Sequence, residues 1–277
     1  MPARIPGNDE FGMMRAQLER ATGTDVRAAV RARKWSRATH GLARGFVQAN
    51  LAILPERYAF DFLRFAQRNP KPCPIIEVLD PGNPEPAIAA SGADIRTDLP
   101  GYRVYREGRF TEDRRSIEDI WRKDHVGFLI GCSNSMDELM LEAGISLRHL
   151  ETEDGRISVY TSTIACQPAG VFHGPMVVSM RPIPASKVTR AVEITSRHPL
   201  AHGGPVHIGR PEAIGVPDLS KVEWGKYNPL GVGDVPVFWA CGVTPQAIAM
   251  ACGIPEMITH AAGHMFVTDL RLSSLAS

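Results

Sequence analysis

Residues 236–269 read PVFWACGVTPQAIAMACGIPEMITHAAGHMFVTD, and this stretch decides the fold. Its apolar run 237–241 predicts a strand buried on both faces. Thr244, followed by a proline, predicts the start of a helix over 246–252, and Gly253 predicts its end. A buried strand that leads into a helix N-terminus and a polar turn is typical of an active site or ligand site.

Two histidines lie in the polar turn that follows this helix. His260 and His264 belong to the segment 259–264, THAAGH, and a second apolar strand is predicted over 265–267. Histidine suits general acid–base catalysis because its ordinary pKa lies near neutrality. The alternative interpretation is that both are core histidines whose polar atoms are satisfied by neighbours.

A metal site is a further alternative for these histidines. His260 and His264 are spaced i, i+4, and His202 and His207 from an upstream segment could join them in space. That spacing serves a metal on a helix, but Gly263 favours a loop, and no glutamate follows the first histidine as in HExxH. No metal and no cofactor are therefore predicted.

A second junction from strand to helix lies upstream, at residues 126–144. Its apolar run 126–132 predicts another buried strand, and Ser135 with Glu138 predicts a capping box for a helix over 136–143. Free N–H groups at such junctions suit a carboxylate or a phosphate. Neither turn carries a nucleotide-binding glycine motif, so a nucleotide is not indicated.

Three side chains near these junctions are candidates for chemistry. Cys132 and Cys241 end the two strands, and each is either a nucleophile activated by a helix N-terminus or a small apolar residue. Arg181 ends another apolar strand, predicted over 174–182, and either binds a substrate carboxylate or forms a structural salt bridge. No serine nucleophile of the GxSxG type is present.

Composition excludes several classes of function. The 277 residues carry 31 Lys+Arg against 30 Asp+Glu, so no net field recruits nucleic acid or an anionic membrane. No apolar run approaches the roughly 20 residues that span a bilayer, and the N-terminus has no signal-peptide core. The chain has five cysteines, an odd number without paired spacing, which favours a reducing compartment. We expect a soluble, cytoplasmic protein, with a homo-oligomer as an open possibility.

The chain is predicted to mix an α/β part with an α+β part. An α/β layered domain with a mixed sheet is expected from residues 1–144 and 231–277, and a smaller α+β lobe from residues 145–230. In the first part, the alternating segment 101–110, GYRVYREGRF, predicts a hairpin. In the second part, residues 156–163 predict a short strand.

Several long motifs resemble the D-glutamate cyclase family, whose members are also labelled hydro-lyases. They are GFVQANLAILPERYAFDF, RNPKPCPIIEV, QPAGVFHGPMVVSMRP, ITSRHPLAHGGPVHIG, PVFWACGVTPQ and ITHAAGHMFVTD. The resemblance runs from about residue 25 to about residue 270. It implies a mixed α/β domain with a smaller α+β one, and a reaction in which D-glutamate closes to 5-oxo-D-proline with loss of water.

The chain departs from the family's pattern at four places. The turn CSFSFE reads CSNSMD at 132–137, and MYRTNI reads VYTSTI at 159–164. Arg210 replaces the acid of an HIGDP turn, and Ala262 replaces the proline of a THAPGH turn. The following positions keep the pattern: His173, Arg181, His202, His207, Cys241, His260, Gly263 and His264.

The resemblance favours a hydro-lyase that acts on a small amino or carboxylic acid. His260, His264 and Cys241 are the expected catalytic residues. The expected substrate-binding residues are Arg181, His173, His202, His207, Cys132, Ser133 and Thr244. Two alternatives stay open: a protein that binds a small carboxylate without converting it, and a metal-dependent hydrolase that uses the histidines.

Overall fold

Two β-sheets form the centre of the protein, in a computed structural model that describes residues 8–152 and 155–275. The strands are β1 (Phe46–Pro55), β2 (Ile75–Val78), β3 (Tyr102–Arg106), β4 (Arg109–Arg114), β5 (His125–Gly131), β6 (Ser158–Ala165), β7 (Pro175–Pro184), β8 (His207–Ile208), β9 (Trp224–Gly225), β10 (Asp234–Ala240), β11 (Glu256–His260) and β12 (Phe266–Arg271). The first sheet has the order β2-β5-β1-β11-β3-β4, with β12 also paired to β1. The second has the order β8-β10-β7-β6-β9.

Helices cover both sheets. They are α1 (Asn8–Glu19), α2 (Gly23–Arg31), α3 (Glu56–Arg68), α4 (Asp137–Glu142), α5 (Val188–Ser196) and α6 (Thr244–Cys252). Helix α2 begins with a reciprocal cap, in which the N–H of Asp25 donates to Thr22 Oγ1 (3.2 Å) and the N–H of Thr22 donates to Asp25 Oδ2 (3.0 Å). No helix within the described ranges is long and apolar enough to cross a membrane.

The mixed helix-and-sheet fold is the one that the sequence predicts. In strand direction, however, the sheets are not mixed, because every pairing among the described strands is antiparallel. The hairpin predicted over 101–110 is β3 and β4, joined by Glu107 and Gly108, both with positive φ. Such φ values at both turn residues suit the tight hairpin turn that matches strand twist.

The deciding stretch bridges the two sheets. Its first strand, β10, pairs with β7 and β8 in the second sheet, whereas β11 and β12 pair with β1 in the first sheet. Helix α6 therefore carries the chain from one sheet to the other, with Gly253 in the left-handed conformation at its end. The sheets do not follow the predicted boundary at residue 230, which separates β10 from its pairing partner β7.

Two local predictions are wrong for tertiary reasons. Ser135 caps no helix: residues 133–136 form a 3₁₀ turn, and Ser135 Oγ accepts the N–H of Gln48 (2.9 Å) instead. The expected turn over 259–264 begins two residues later, at residue 261, because β11 continues through His260 while pairing with β3.

The largest core lies between the sheets. It joins Phe128 of the first sheet and Phe238 of the second to Phe62 and Phe65 of α3, with Ile248 of α6. The opposite face of the second sheet packs against α4 and α5, and the opposite face of the first sheet packs against the segment 89–99. Because both faces of each sheet are packed, the ends of the strands are held in fixed positions.

Candidate active site

A small cavity lies where strands of the two sheets meet. It encloses about 50 Å³, which is room for a few waters or a compact ligand. Its wall includes apolar surface from Val159 and Trp224. Polar side chains that line it are His40, Asn50, Cys132, Ser133, Asn134, Arg156, Ser179, Cys241 and His260. Of the residues singled out in the sequence, the fold thus brings Cys132, Ser133, Cys241 and His260 together.

His260 sits where β1 changes partner. Ala52 pairs with Thr259 and Ala49 pairs with Phe266, so two residues of β1 lie opposite residues 260–265. His260 still pairs with β3, and residues 261–265 loop out of the sheet. The N–H of Leu51, which lies in this gap, donates to Nδ1 of His260 (3.2 Å). Burial lowers the pKa of His260 to about 4. The imidazole is therefore neutral at pH 7; Nε2 carries its proton when Nδ1 accepts, and Nε2 is unprotonated when Nδ1 donates to the carbonyl oxygen of Leu51 (3.4 Å).

Asn50 lies in the same gap and was not singled out in the sequence. Its Nδ2 donates to the carbonyl oxygen of Gly131 (2.6 Å), which ties β1 to the end of β5. A Cβ at position 242 would lie 1.9 Å from Asn50 Nδ2. Glycine at 242 therefore allows the chain after β10 to approach Asn50 and close this side of the cavity.

A buried charge network stands behind Ser133. Arg181 Nη2 donates to Ser133 Oγ (3.2 Å) and to Asp137 Oδ1 (2.9 Å), while His149 Nε2 lies 2.8 Å from Asp137 Oδ2. Burial by itself would raise the pKa of Asp137, but the charges of Arg181 and His149 outweigh it, and the net shift is downward. Asp137 is therefore a carboxylate that holds a cation on one oxygen and an imidazole on the other.

Several buried polar atoms have no hydrogen-bond partner among the described residues. Ser179 and Arg181 occupy alternate positions of β7 and so share a face of the sheet. Ser179 Oγ, Arg181 Nη1 and His40 Nδ1 are all buried and unpartnered. His40 and Ser179 line the cavity, and Arg181 lies behind its wall, bonded to Ser133. Because such atoms are rarely left without a partner, this group indicates a place for ligand atoms.

Burial disfavours the thiolate form of the two cavity thiols. Burial raises the pKa of Cys132 to about 12 and the pKa of Cys241 to about 11. Both groups therefore remain protonated at neutral pH, and the thiolate that nucleophilic attack requires is disfavoured. Cys241 can act only as a thiol, a weak hydrogen-bond donor.

Four of the expected histidines lie outside the cavity lining: His173, His202, His207 and His264. Nδ1 of His264 lies 3.0 Å from the carbonyl oxygen of Ala262, and the ring packs near Gly101. His173 is exposed, and Nε2 of His207 lies 2.9 Å from the carbonyl oxygen of Arg210. The i, i+4 spacing leaves His264 close enough to His260 for its charge to help lower the pKa of His260, but of the two His260 alone lines the cavity.

The last two expected site residues have backbone partners. His202 is buried in the left-handed conformation, with Nδ1 2.5 Å from the carbonyl oxygen of Lys71. Thr244 Oγ1 accepts the N–H of Val177 (3.1 Å) and donates to the carbonyl oxygen of Cys241 (2.7 Å), so it secures the start of α6. Within residues 8–152 and 155–275, no three His, Cys, Asp or Glu side chains are grouped to hold a metal ion.

Residues 126–269, which include both strand-to-helix junctions, match the family described as D-glutamate cyclase. A protein of Geobacillus kaustophilus named "Putative hydro-lyase GK2103" is 53% identical over 247 residues, 89% of this chain and 94% of that one. A Bacillus subtilis protein named "Putative hydro-lyase YcsI" is 52% identical over 252 residues, 91% of this chain and 98% of that one. The chain belongs to the D-glutamate cyclase family.

Proposed function

We propose that this protein is a hydro-lyase that closes D-glutamate to 5-oxo-D-proline in the cavity between its sheets. Arg181 Nη1 carries the proposal: it is a buried cationic donor without an acceptor, beside Ser133 and Ser179 of the cavity wall. A substrate carboxylate would supply the missing acceptor. Asp137 fixes the other side of the guanidinium and so presents the free edge in one orientation.

The reaction requires the transfer of protons, and the neutral imidazole of His260 is suited to this transfer. The amine nitrogen attacks the side-chain carboxyl carbon, a carbon–oxygen bond breaks, and the oxygen leaves as water. Two protons must leave the nitrogen and end on that oxygen. When Nδ1–H of His260 donates to the carbonyl oxygen of Leu51 (3.4 Å), Nε2 is unprotonated and can accept a proton from the substrate nitrogen.

Asn50 and Cys241 are proposed to assist at the carboxyl that is attacked. Both line the cavity, and the raised pKa of Cys241 keeps its proton available for a hydrogen bond. Donors at fixed positions stabilise negative charge as it develops on oxygen. The small, largely apolar volume also limits water, which would hydrolyse the lactam again.

Proton NMR of the purified protein with D-glutamate, and separately with L-glutamate, tests the proposal. We expect 5-oxoproline from the D enantiomer alone. His260→Gln should lower kcat by about 100-fold or more. His198→Gln is the matched control, because His198 is also buried but contacts the carbonyl oxygen of Ile194 outside this cavity. Absence of product with folded protein, or an equally active His260→Gln variant, would defeat the assignment.

A protein that binds a small carboxylate without converting it is the second candidate. The low pKa of His260 favours it, because an imidazole with a pKa of about 4 is a weak base in the empty cavity. Glutarate, which has both carboxylates but no amine, is the probe for this alternative. Stabilisation by glutarate and by D-glutamate, with no product from D-glutamate, would favour binding alone.

A further inference from the structure

We infer that His40 is a second proton-transferring residue of this cavity, positioned by His149 and Asp137. The inference rests on the proposed cyclisation. It differs from the roles already given because His40 belongs to the segment before β1, far from the motifs that carry histidines in the sequence.

His40 is placed on the cavity wall by contacts on several sides. Its ring is buried and lines the cavity, and a Cβ at position 263 would lie 3.1 Å from its Cε1. Its carbonyl oxygen accepts a hydrogen bond from Arg15 Nη2 (3.0 Å). The preceding residue, Thr39, donates its N–H to Gly263 (2.8 Å) and accepts the N–H of Met265 at Oγ1 (3.0 Å).

These contacts join His40 to the loop that follows His260. Thr39 bonds to both Gly263 and Met265, which lie in the loop 261–265 that directly follows His260. Both imidazoles line the same cavity of about 50 Å³, His260 from β11 and His40 from the facing segment. The hydrogen bonds of Thr39 therefore connect the wall that carries His40 to the loop that follows His260.

Asp137 links His40 to the proposed carboxylate-binding group. The ring of His149 meets the ring of His40 edge-on, with centroids 6.4 Å apart and planes at 65°. Asp137 Oδ2 holds His149, and Asp137 Oδ1 holds Arg181. One buried carboxylate thus orients the residue that would bind substrate and the residue that packs on His40.

The charged and titratable groups around His40 explain its state in the empty cavity. Burial is the largest cause that lowers the pKa of His40, and the charges of His149, Arg15 and Arg181 lower it further. The charge of Asp137 raises this pKa, and the net result is a pKa of about 3. The imidazole is thus neutral and can accept a proton. A bound substrate carboxylate would stabilise the protonated form and so raise this pKa.

Two imidazoles match the proton balance of the reaction. The nitrogen of the ammonium group forms one bond to carbon and gives up two protons. The departing oxygen breaks its bond to carbon and takes up two protons, so that water leaves. His40 and His260 each carry one proton from nitrogen to oxygen, and both are neutral again at the end.

The test compares His40→Gln with His149→Gln and the control His198→Gln. For His40→Gln we expect kcat to fall by about 100-fold, the lower end for loss of a general acid–base, with KM and the glutarate-induced shift in Tm unchanged within about twofold. For His149→Gln, a positioning residue, we expect a smaller fall in kcat, about 10-fold, and an altered pH dependence of kcat.

The outcomes separate this inference from the proposed function. An active wild type with an equally active His40→Gln variant would overturn the role of His40 alone. If His40→Gln loses both its activity and the glutarate-induced shift in Tm, His40 has a structural role and the inference is overturned. A wild type that binds glutarate but forms no 5-oxoproline would overturn both proposals together.

Discussion

Gly242→Ala tests whether the approach of two chain segments builds the cavity wall. The added Cβ would lie 1.9 Å from Nδ2 and 2.2 Å from Cγ of Asn50, whose side chain is buried and cannot swing into solvent. Overpacking costs about 1–3 kcal/mol, and losing the Asn50 hydrogen bond to Gly131 about 1 kcal/mol more. We therefore expect the free energy of unfolding to fall by about 2–4 kcal/mol.

Urea denaturation and thermal unfolding measure this loss. At this chain length about 1 kcal/mol corresponds to about 2–4 °C in Tm, so Tm should fall by about 5–15 °C. Gly12→Ala is the control, since a Cβ there meets no atom within 4 Å and the position is exposed in α1, where alanine favours the helix. It should be neutral or slightly stabilising.

A double-mutant cycle isolates the cause. In an Asn50→Ala background the side chain that clashes is gone, so Gly242→Ala should cost less than about 1 kcal/mol. The reasoning is refuted if Gly242→Ala is as stable as wild type, or if its cost is the same in both backgrounds.

Further predictions concern pH, thiol reactivity and a buried carboxylate. Three buried histidines have a pKa lowered by burial, to about 3 or about 4: His40, His202 and His260. As the pH falls, the unfolded chain binds protons at these sites before the folded protein does. The free energy of unfolding, measured by urea denaturation, should therefore fall from pH 6.5 towards pH 4 by at most about 1.4 kcal/mol per pH unit for each histidine. His202→Gln should make this dependence on pH less steep, and a wild-type stability that does not change with pH contradicts the prediction. Iodoacetamide at pH 7.5 should label Cys132 and Cys241 only after unfolding, as followed by peptide mass spectrometry, whereas fast native labelling would contradict their raised pKa. Glu77→Ala should destabilise the protein by about 2–4 kcal/mol in urea, because the Glu77 carboxylate accepts three N–H groups of residues 87–89, and an effect below about 0.5 kcal/mol would contradict that role.

The sequence could predict those elements whose signals are local. Strand β10 and helix α6 were predicted because an apolar run leads to Thr244 and its proline, and Gly253 ends the helix without steric cost. The family, too, was predicted from the sequence, because its motifs are contiguous.

Strand β1 was missed, although it pairs with three other strands of the first sheet. Its polar residues Gln48 and Asn50 interrupt the apolar pattern. They are buried because Gln48 Nε2 donates to the carbonyl oxygen of Thr39 (2.8 Å) and Asn50 Nδ2 donates to Gly131. The apolar residues on either side of Gln48 and Asn50 could still have indicated this strand.

The sequence alone therefore determined the family, the mixed fold and three polar cavity residues near the junctions, together with His260. Only the tertiary structure brought His40, Asp137, His149 and Arg181 into one network, from segments far apart in the chain. A buried charge must find a partner to offset its desolvation, but the partner's identity depends on which segments the sheets bring together. Local patterns carry no information about that choice.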